Sequence, residues 1–417
     1  MALSRRSFLQ TTVTSLAIGA AGSAAPRLIA SPSTPNGTSP ITNAWGRART
    51  TKVPTEEYTI FKGFAGQSYS HQSQLTSHEG KLYATWSLGL RDEEGPGQRM
   101  VMAVSDDLGQ TWGKPITIAP YRRGLYSDTT VISSGLRIHG DLFIAYNGEW
   151  ERKQVGLNAD GTRNRQNTTD LFLNSRTEAR ISRDRGLTWS NPLLIAAGFV
   201  NYMPPVPLRG GRLIFPGNLA HLITDDPTGL TDWRRTAVPG IPHHYVDDYF
   251  NKAVGRQLAG NDFECTEASS FQTDDGVIHM MLRNDTGFLM SVSESRDNGE
   301  SWSKPRLTDY TDVRCRAQFG RLADGRFFGM NCPKSSSPTN VRHRTPAVLA
   351  TSMDGVSFDR HYILGDEPEG IPSFDGLYKH GRYGYPYLHV HGEHGFMIFS
   401  RNKEDICVSR FALAAIS

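Results

Sequence analysis

Short apolar runs recur along the chain, each bounded by Gly, Asp or Asn. Residues 99–104 read RMVMAV and residues 115–119 read PITIA. Residues 81–86 (KLYATW) follow the turn Glu79-Gly80, and residues 211–215 (GRLIF) and 325–329 (GRFFG) step from turn into apolar run in the same way. Runs of this length between turn residues predict β-strands joined by tight hairpins. The 41 glycines and 23 prolines suit a turn-rich β protein better than a helical one.

One octapeptide repeats between these runs. Ser105-Asp106-Asp107-Leu108-Gly109-Gln110-Thr111-Trp112 returns as Ser182-Arg183-Asp184-Arg185-Gly186-Leu187-Thr188-Trp189 and again as Ser295-Arg296-Asp297-Asn298-Gly299-Glu300-Ser301-Trp302. Each fits S-x-D-x-G-x-[TS]-W, and each is followed within three residues by a proline: Pro115, Pro192 and Pro305. Degenerate copies run from Thr224 to Trp233 and from Ser352 to Phe358. The physics is that of a hairpin turn. The Asp carboxylate accepts backbone N–H groups across the turn, Gly supplies positive φ, and Trp packs beneath. Several short strands per repeat, at intervals of roughly 40 to 80 residues, fit the radial blades of a β-propeller.

These repeats are Asp boxes, and the chain resembles the sialidase (neuraminidase) superfamily over residues of about 60–415. The resemblance implies an all-β, six-bladed β-propeller, with seven blades as the alternative, and the domain over residues 56–417. It also implies that Asp107, Asp184 and Asp297 are structural, because Asp boxes lie on the blade periphery away from the active face.

Candidate chemistry therefore lies outside the repeats. Residues 267–283 (EASSFQTDDGVIHMMLR) resemble the stretch in which a Glu precedes a turn and an Arg ends the next strand. The resemblance makes Glu267 the carboxylate that activates a tyrosine and Arg283 one arm of an arginine cluster. From the residues alone, both sit at strand ends flanking an Asp-Asp-Gly turn and reach one face of a blade; a structural ion pair is the plain alternative. Arg344, or less favourably Arg342, fits the place of a second arginine, and a guanidinium fork suits a carboxylate. Tyr385 fits the nucleophile, with Tyr383 and Tyr387 as rivals. A phenol suits an anomeric centre that bears a carboxylate, since an anionic Asp or Glu would approach it against repulsion. The acidic loop Asp92-Glu93-Glu94 before the first Asp box offers a general acid.

The first blade departs from the family. Where an arginine is expected the chain reads Ser70-His71-Gln72-Ser73-Gln74, so His71 and Gln74 become site candidates, His71 in the arginine's place. Reduced to two arginines, the clamp leaves room for uronic acids. Two rivals follow: a uronate-directed lyase or rhamnose-releasing enzyme, in which His71 or Tyr385 moves the proton, and a non-catalytic glycan-binding propeller. No metal or cofactor is expected; His389, His391, Glu393 and His394 read as a strand and its turn. The insert 147–174 reads as a surface excursion, and His243-His244 as part of a loop over the active face.

Charge and compartment complete the expectations. Ser4-Arg5-Arg6-Ser7-Phe8-Leu9 resembles a twin-arginine export motif, followed by an apolar stretch and small residues, so residues 1–30 read as an export signal and 31–55 as a flexible linker. The formal net charge is +3, with 45 Lys+Arg against 42 Asp+Glu. The three arginines of the leader account for that excess, leaving 42 basic and 42 acidic residues beyond it. A nearly neutral body argues against nucleic acid as a partner. The expected partner is an acidic glycan, the expected state a monomer, and the expected place the periplasm or the medium. The four cysteines form no CxxC pair, leaving either free thiols or one disulfide.

Overall fold

The computed structural model describes residues 41–416, apart from 47–48, 94, 156–158, 160–168, 218–219, 239–264, 285–287, 335–342 and 377. The Asp-box hairpins form as their composition requires. In the first, Asp107 accepts the Thr111 N–H at 2.9 Å and its hydroxyl at 2.6 Å, while the Ser105 hydroxyl accepts the Gly109 N–H at 2.9 Å. Leu108 and Gly109 both lie in the left-handed region, at φ 58° and 83°, and Trp112 Nε1 closes the turn on the Gly109 carbonyl at 3.0 Å. The Asp184 copy repeats this pattern, and the Asp297 copy does so except that Trp302 Nε1 donates to the Thr236 hydroxyl at 3.1 Å. In the degenerate copies, Asp226 and Asp354 take the same capping role.

Each hairpin joins strands of a small antiparallel sheet. The first four sheets span Tyr69–His78 to Ile116–Ala119, Thr130–His139 to Leu193–Ala197, Val206–Pro207 to Arg234–Ala237, and Cys265–Gln272 to Arg306–Thr311. The fifth runs from Gln318–Arg321 to Arg360–Gly365, and the sixth from Gly384–His391 to Asp405–Ala412. The ring is a six-bladed β-propeller. Its sixth blade takes its outer strand, Glu56–Phe61, from the other end of the chain, antiparallel to Asp405–Ala412. This pairing fastens the circle.

The apolar core lies between neighbouring blades. Ile398, Phe396 and Ile406 of the sixth blade meet Leu82, Trp86 and Val101 of the first. Met330, Leu349 and Cys332 of the fifth meet Tyr383, Met397 and Phe399 of the sixth. Burying a side chain of this size contributes about 1.5–3 kcal/mol.

The remainder of the expected organisation differs in two places. Residues 31–55 are not a linker throughout: Thr42–Asn43 pairs in parallel with Ser357–Phe358, and Arg49–Lys52 extends the fifth blade beside Arg360–Gly365. Their polar residues, Thr42-Asn43 and Arg49-Thr50-Thr51-Lys52, hide strands that exist only through a sheet edge made elsewhere. The insert 147–174 also begins inside the second blade, where Leu142–Val155 pairs with Thr169–Ser182 and Trp150 is buried. Of its charged residues, Glu149 is buried and held by Arg122 and Arg176 from outside the insert, which also hold the buried Glu178. Residues 1–30, Glu94, Arg342 and His243-His244 lie outside the described residues. Cys315, Cys332 and Cys407 are free thiols.

Candidate active site

The inner strands carry the site because they are bulged. Two residues of one strand face a single partner where the register shifts between His71 and Gln74, between Thr266 and Ser269, and between Gly384 and Tyr387. In each bulge the first residue is left-handed and is not glycine: Gln72 at φ 49°, Glu267 at 49° and Tyr385 at 52°. Left-handed backbone at a bulky residue costs about 1–3 kcal/mol and persists only where its surroundings fix it. The bulge re-aims the side chain. As a result, Glu267 and Tyr385, from the fourth and sixth blades, meet.

The Tyr385 hydroxyl donates to Glu267 Oε1. Arg283 Nη1 donates to Glu267 Oε2 at 2.6 Å and to the Tyr385 oxygen at 3.1 Å, bridging the two. Arg344 lies with its guanidinium carbon 5.0 Å from the Tyr385 ring centroid. It is 4% exposed, yet its Nε and Nη1 have no hydrogen-bond partner. A buried guanidinium with two unused donors is prepared for an anion. The four residues that the sequence singled out as base, nucleophile and clamp are thus brought together.

Electrostatics sharpens their roles. Burial, with the Glu267 charge, pushes the Tyr385 phenol well above its usual 10, against the opposing pull of Arg283. The phenol is therefore neutral at rest, and a partner has to take its proton when it reacts. Glu267 is placed to do so.

The acidic loop divides. Glu93 reaches the site, with Oε2 2.5 Å from Lys403 Nζ and Oε1 3.9 Å from His71 Nε2. Asp92 instead binds the loop together, accepting from the backbone N–H groups of Glu93 and Tyr378 at 2.9 and 3.3 Å. Lys403 is buried, and desolvation pulls its ammonium below the usual 10.5 against the holding charge of Glu93.

Two first-blade candidates are corrected. His71 is fully buried, its ring centroid 4.1 Å from that of Tyr385, its Nδ1 2.6 Å from Ser400 Oγ. Burial, then the charges of Lys403, Arg344 and Arg316, hold it well below 6.5. A neutral imidazole supplies no positive charge, so His71 supports the tyrosine and does not replace an arginine. Gln74 is spent inside the channel: its amide donates to the Tyr202 carbonyl at 2.9 Å, and its oxygen accepts the Ser133 hydroxyl at 2.8 Å. Of the rival tyrosines, Tyr383 is buried against Phe399 and Tyr387 packs between the sixth and first blades.

Sequence reasoning missed Lys403 and Arg316. Lys403 stands in a hairpin at φ 55°, where a lysine reads as a solvated turn. Arg316 is 1% exposed, lies 5.1 Å from the Tyr385 ring, and donates to the carbonyls of Tyr202 and Ser73, the latter at 3.2 Å. It ties three blades together beneath the site. Nothing local in the sequence marks such a brace.

With this geometry in hand, residues 80–398 match the family described as BNR repeat-like domain. The chain belongs to the BNR repeat-like family. Among solved structures, the NanB sialidase of Streptococcus pneumoniae superposes with a TM-score of 0.58 at 14% identity, covering 86% of this chain and 71% of that one. The leech intramolecular trans-sialidase gives 0.59 at 13% identity, covering 87% and 71%. The intramolecular trans-sialidase of Ruminococcus gnavus gives 0.58 at 13%, covering 85% and 97%. By sequence, no curated protein matches the chain. At these identities the solved structures establish the sialidase-like propeller fold.

Proposed function

We propose that this BNR-repeat propeller is a sialidase-like exo-glycosidase that hydrolyses terminal acidic sugars, sialic acid or a related acid, from glycans. The observation that carries the reading is the Tyr385 hydroxyl resting on Glu267, with Arg283 bridging both. Glu267 takes the phenolic proton as the Tyr385 oxygen attacks the anomeric carbon, and the leaving oxygen is protonated from the Glu93–Lys403 pair. Water then cleaves the glycosyl–tyrosine bond, the two protons returning by the same groups. Arg344 and Arg283 hold the sugar carboxylate, which the site favours because Arg283, Arg316, Arg344 and Lys403 outnumber Glu267 and Glu93. The reading extends to a monomer exported through its leader, which Arg5→Lys with Arg6→Lys would retain in the cytoplasm.

The test is product analysis. The purified protein is incubated with α-sialosides and with uronate-terminated glycans, and free acidic sugar is measured. Release that is lost in Tyr385→Phe supports the hydrolase. An unsaturated uronate product would instead identify a lyase. Glycan affinity without turnover, unchanged in Tyr385→Phe, would identify a binding propeller.

A further inference from the structure

The connection from the fifth to the sixth blade, between Gly365 and Gly384, is fastened by hydrogen bonds along its length. The Glu367 N–H donates to the Tyr383 hydroxyl at 3.3 Å, and Glu369 Oε2 accepts the Gly381 N–H at 3.1 Å. Glu404 takes the N–H groups of Ser373 and Phe374 at 2.9 and 2.8 Å. The connection also reaches the first blade: the Tyr378 N–H donates to Asp92 Oδ1 at 3.3 Å, and the Lys379 ammonium donates to the Ser68 carbonyl.

Ser68 is the junction on which the Glu93–Lys403 pair is built. Its N–H and its hydroxyl both donate to the Leu90 carbonyl, at 3.2 and 3.3 Å, and Leu90 leads into the Asp92-Glu93 loop. Two residues on, the Ser70 N–H donates to the Lys403 carbonyl at 2.9 Å. Both halves of the pair, one from the first blade and one from the sixth, therefore hang on the stretch from Ser68 to Ser70. Lys379 fastens the connection to that stretch.

The lysine is tightly enclosed, at 7% exposure. A carbon added at Gly376 would come within 2.6 Å of Lys379 Cγ and 3.3 Å of the Asp92 carboxyl carbon, so the two side chains close on one backbone position. Burial pulls the ammonium from 10.5 to about 8, against the holding charges of Glu404 and Asp92. A methionine would fill this space without taking a charge out of water. What the lysine adds is its donors and its attraction for Asp92. Asp92 in turn accepts the Glu93 N–H at 2.9 Å, which carries the effect to the neighbouring carboxylate.

We propose that Lys379 is a positioning residue for the proton-donating pair: by locking the connection onto Ser68 and Asp92, it holds Glu93 against Lys403 where the leaving oxygen takes its proton. Its effect passes through Glu93. This rests on the hydrolase reading above and names the residue that fixes the geometry of its proton-transfer step.

The experiment compares kcat/KM of the full chain on two kinds of substrate, a 4-nitrophenyl glycoside, whose phenolate leaves without a proton, and a lactose-linked glycoside, whose sugar oxygen needs one. Both are prepared as sialosides and as glucuronides. In Lys379→Met, cleavage of the lactose-linked substrate falls by about 10- to 100-fold, the cost of displacing a catalytic group by about an ångström, while the aryl substrate stays close to wild type. Glu93→Gln shows the same selective loss, and adding Lys379→Met to it costs nothing further. Lys379→Arg, which keeps a charged donor, recovers part of the loss. Should Lys379→Met fail to fold, Gly376→Ala presses on the same contact from the backbone and gives the same selectivity. Equal losses on both kinds of substrate would overturn the proposal, because they mark a structural role. So would an additive loss in the double variant, or wild-type rates throughout. If the wild type cleaves none of the four substrates, the hydrolase reading itself fails and the Lys379 assignment falls with it.

Discussion

In the proposed reaction Tyr385 is a poor nucleophile by its surroundings and a good one by its contacts. Burial holds its proton, while Glu267 accepts that proton and Arg283 steadies the oxygen left behind. Glu267→Gln keeps the shape and one of the two acceptor oxygens but removes the base. Its expected effect is a fall in kcat of roughly 10²–10⁴-fold with KM changed far less, read by steady-state kinetics on an aryl sialoside. A KM effect with kcat intact would assign Glu267 to binding. These residues were legible through the resemblance of residues 267–283 and of the segment around Tyr385 to the sialidase stretches that carry a base, an arginine and a tyrosine. Lys403 and Arg316 were not, because what makes each of them functional is burial by blades distant in sequence: Lys403 meets Glu93 across 310 positions, and Arg316 meets Ser73 across 243. A local reading of either sees only a charged residue near a turn.

At the scale of elements, two devices divide the labour. Asp-box hairpins stabilise the blade peripheries, and bulged inner strands aim the chemistry. The first is written in the sequence, since carboxylate, glycine and tryptophan each have one job in the turn. The second is not, because Gln72, Glu267 and Tyr385 take a conformation that sequence normally marks with glycine. The inner strands also bury Ser70, Ser73, Ser133, Ser270 and Gln74, which defeats the apolar–polar alternation by which strands are found. The Asp boxes make a pH prediction. Hydrogen bonds from the Thr111 and Thr188 hydroxyls, with those from the backbone, bring Asp107 and Asp184 down from 3.8 to about 2. A lowered folded-state value means that their contribution is complete above the unfolded value near 4 and is lost as pH falls toward 2. Asp107→Asn with Asp184→Asn should therefore lower the midpoint of thermal unfolding at pH 7 and flatten its decline between pH 4 and 2. A decline as steep as wild type's would place the acid sensitivity elsewhere. Gly109→Ala isolates the backbone part. Its added carbon meets only ordinary contacts, the nearest at 3.6 Å, so the cost is that of an alanine at φ 83°, about 1–2 kcal/mol by denaturant titration.

For the whole molecule, the open question in the sequence was closure. The box spacing gave strands and blades, but six and seven blades stayed open because the third blade has only the degenerate box at Asp226 and the last blade borrows a strand from before the first. The pairing of Glu56–Phe61 with Asp405–Ala412 decides the count, and it spans some 350 positions of chain. No local pattern carries such a contact. The strand is held by Ile60, buried between the sixth and first blades, and by Arg410 and Arg401, which reach Glu56 and Glu57. The exposed ion pairs contribute little because solvent screens them, so the apolar side chain and the ladder bonds carry the closure. Ile60→Ala should destabilise the protein by about 2–5 kcal/mol, whereas Glu56→Gln should leave the midpoint of unfolding close to that of the wild type. The closure also bears on the site. Tyr385 lies on the inner strand of the sixth blade and Glu267 on that of the fourth, so their meeting depends on a closed ring. Removing residues 41–62 should abolish the cooperative unfolding transition and the proposed glycosidase activity together. Retained activity in that deletion would show that the site is held by blades four to six alone, without the clasp.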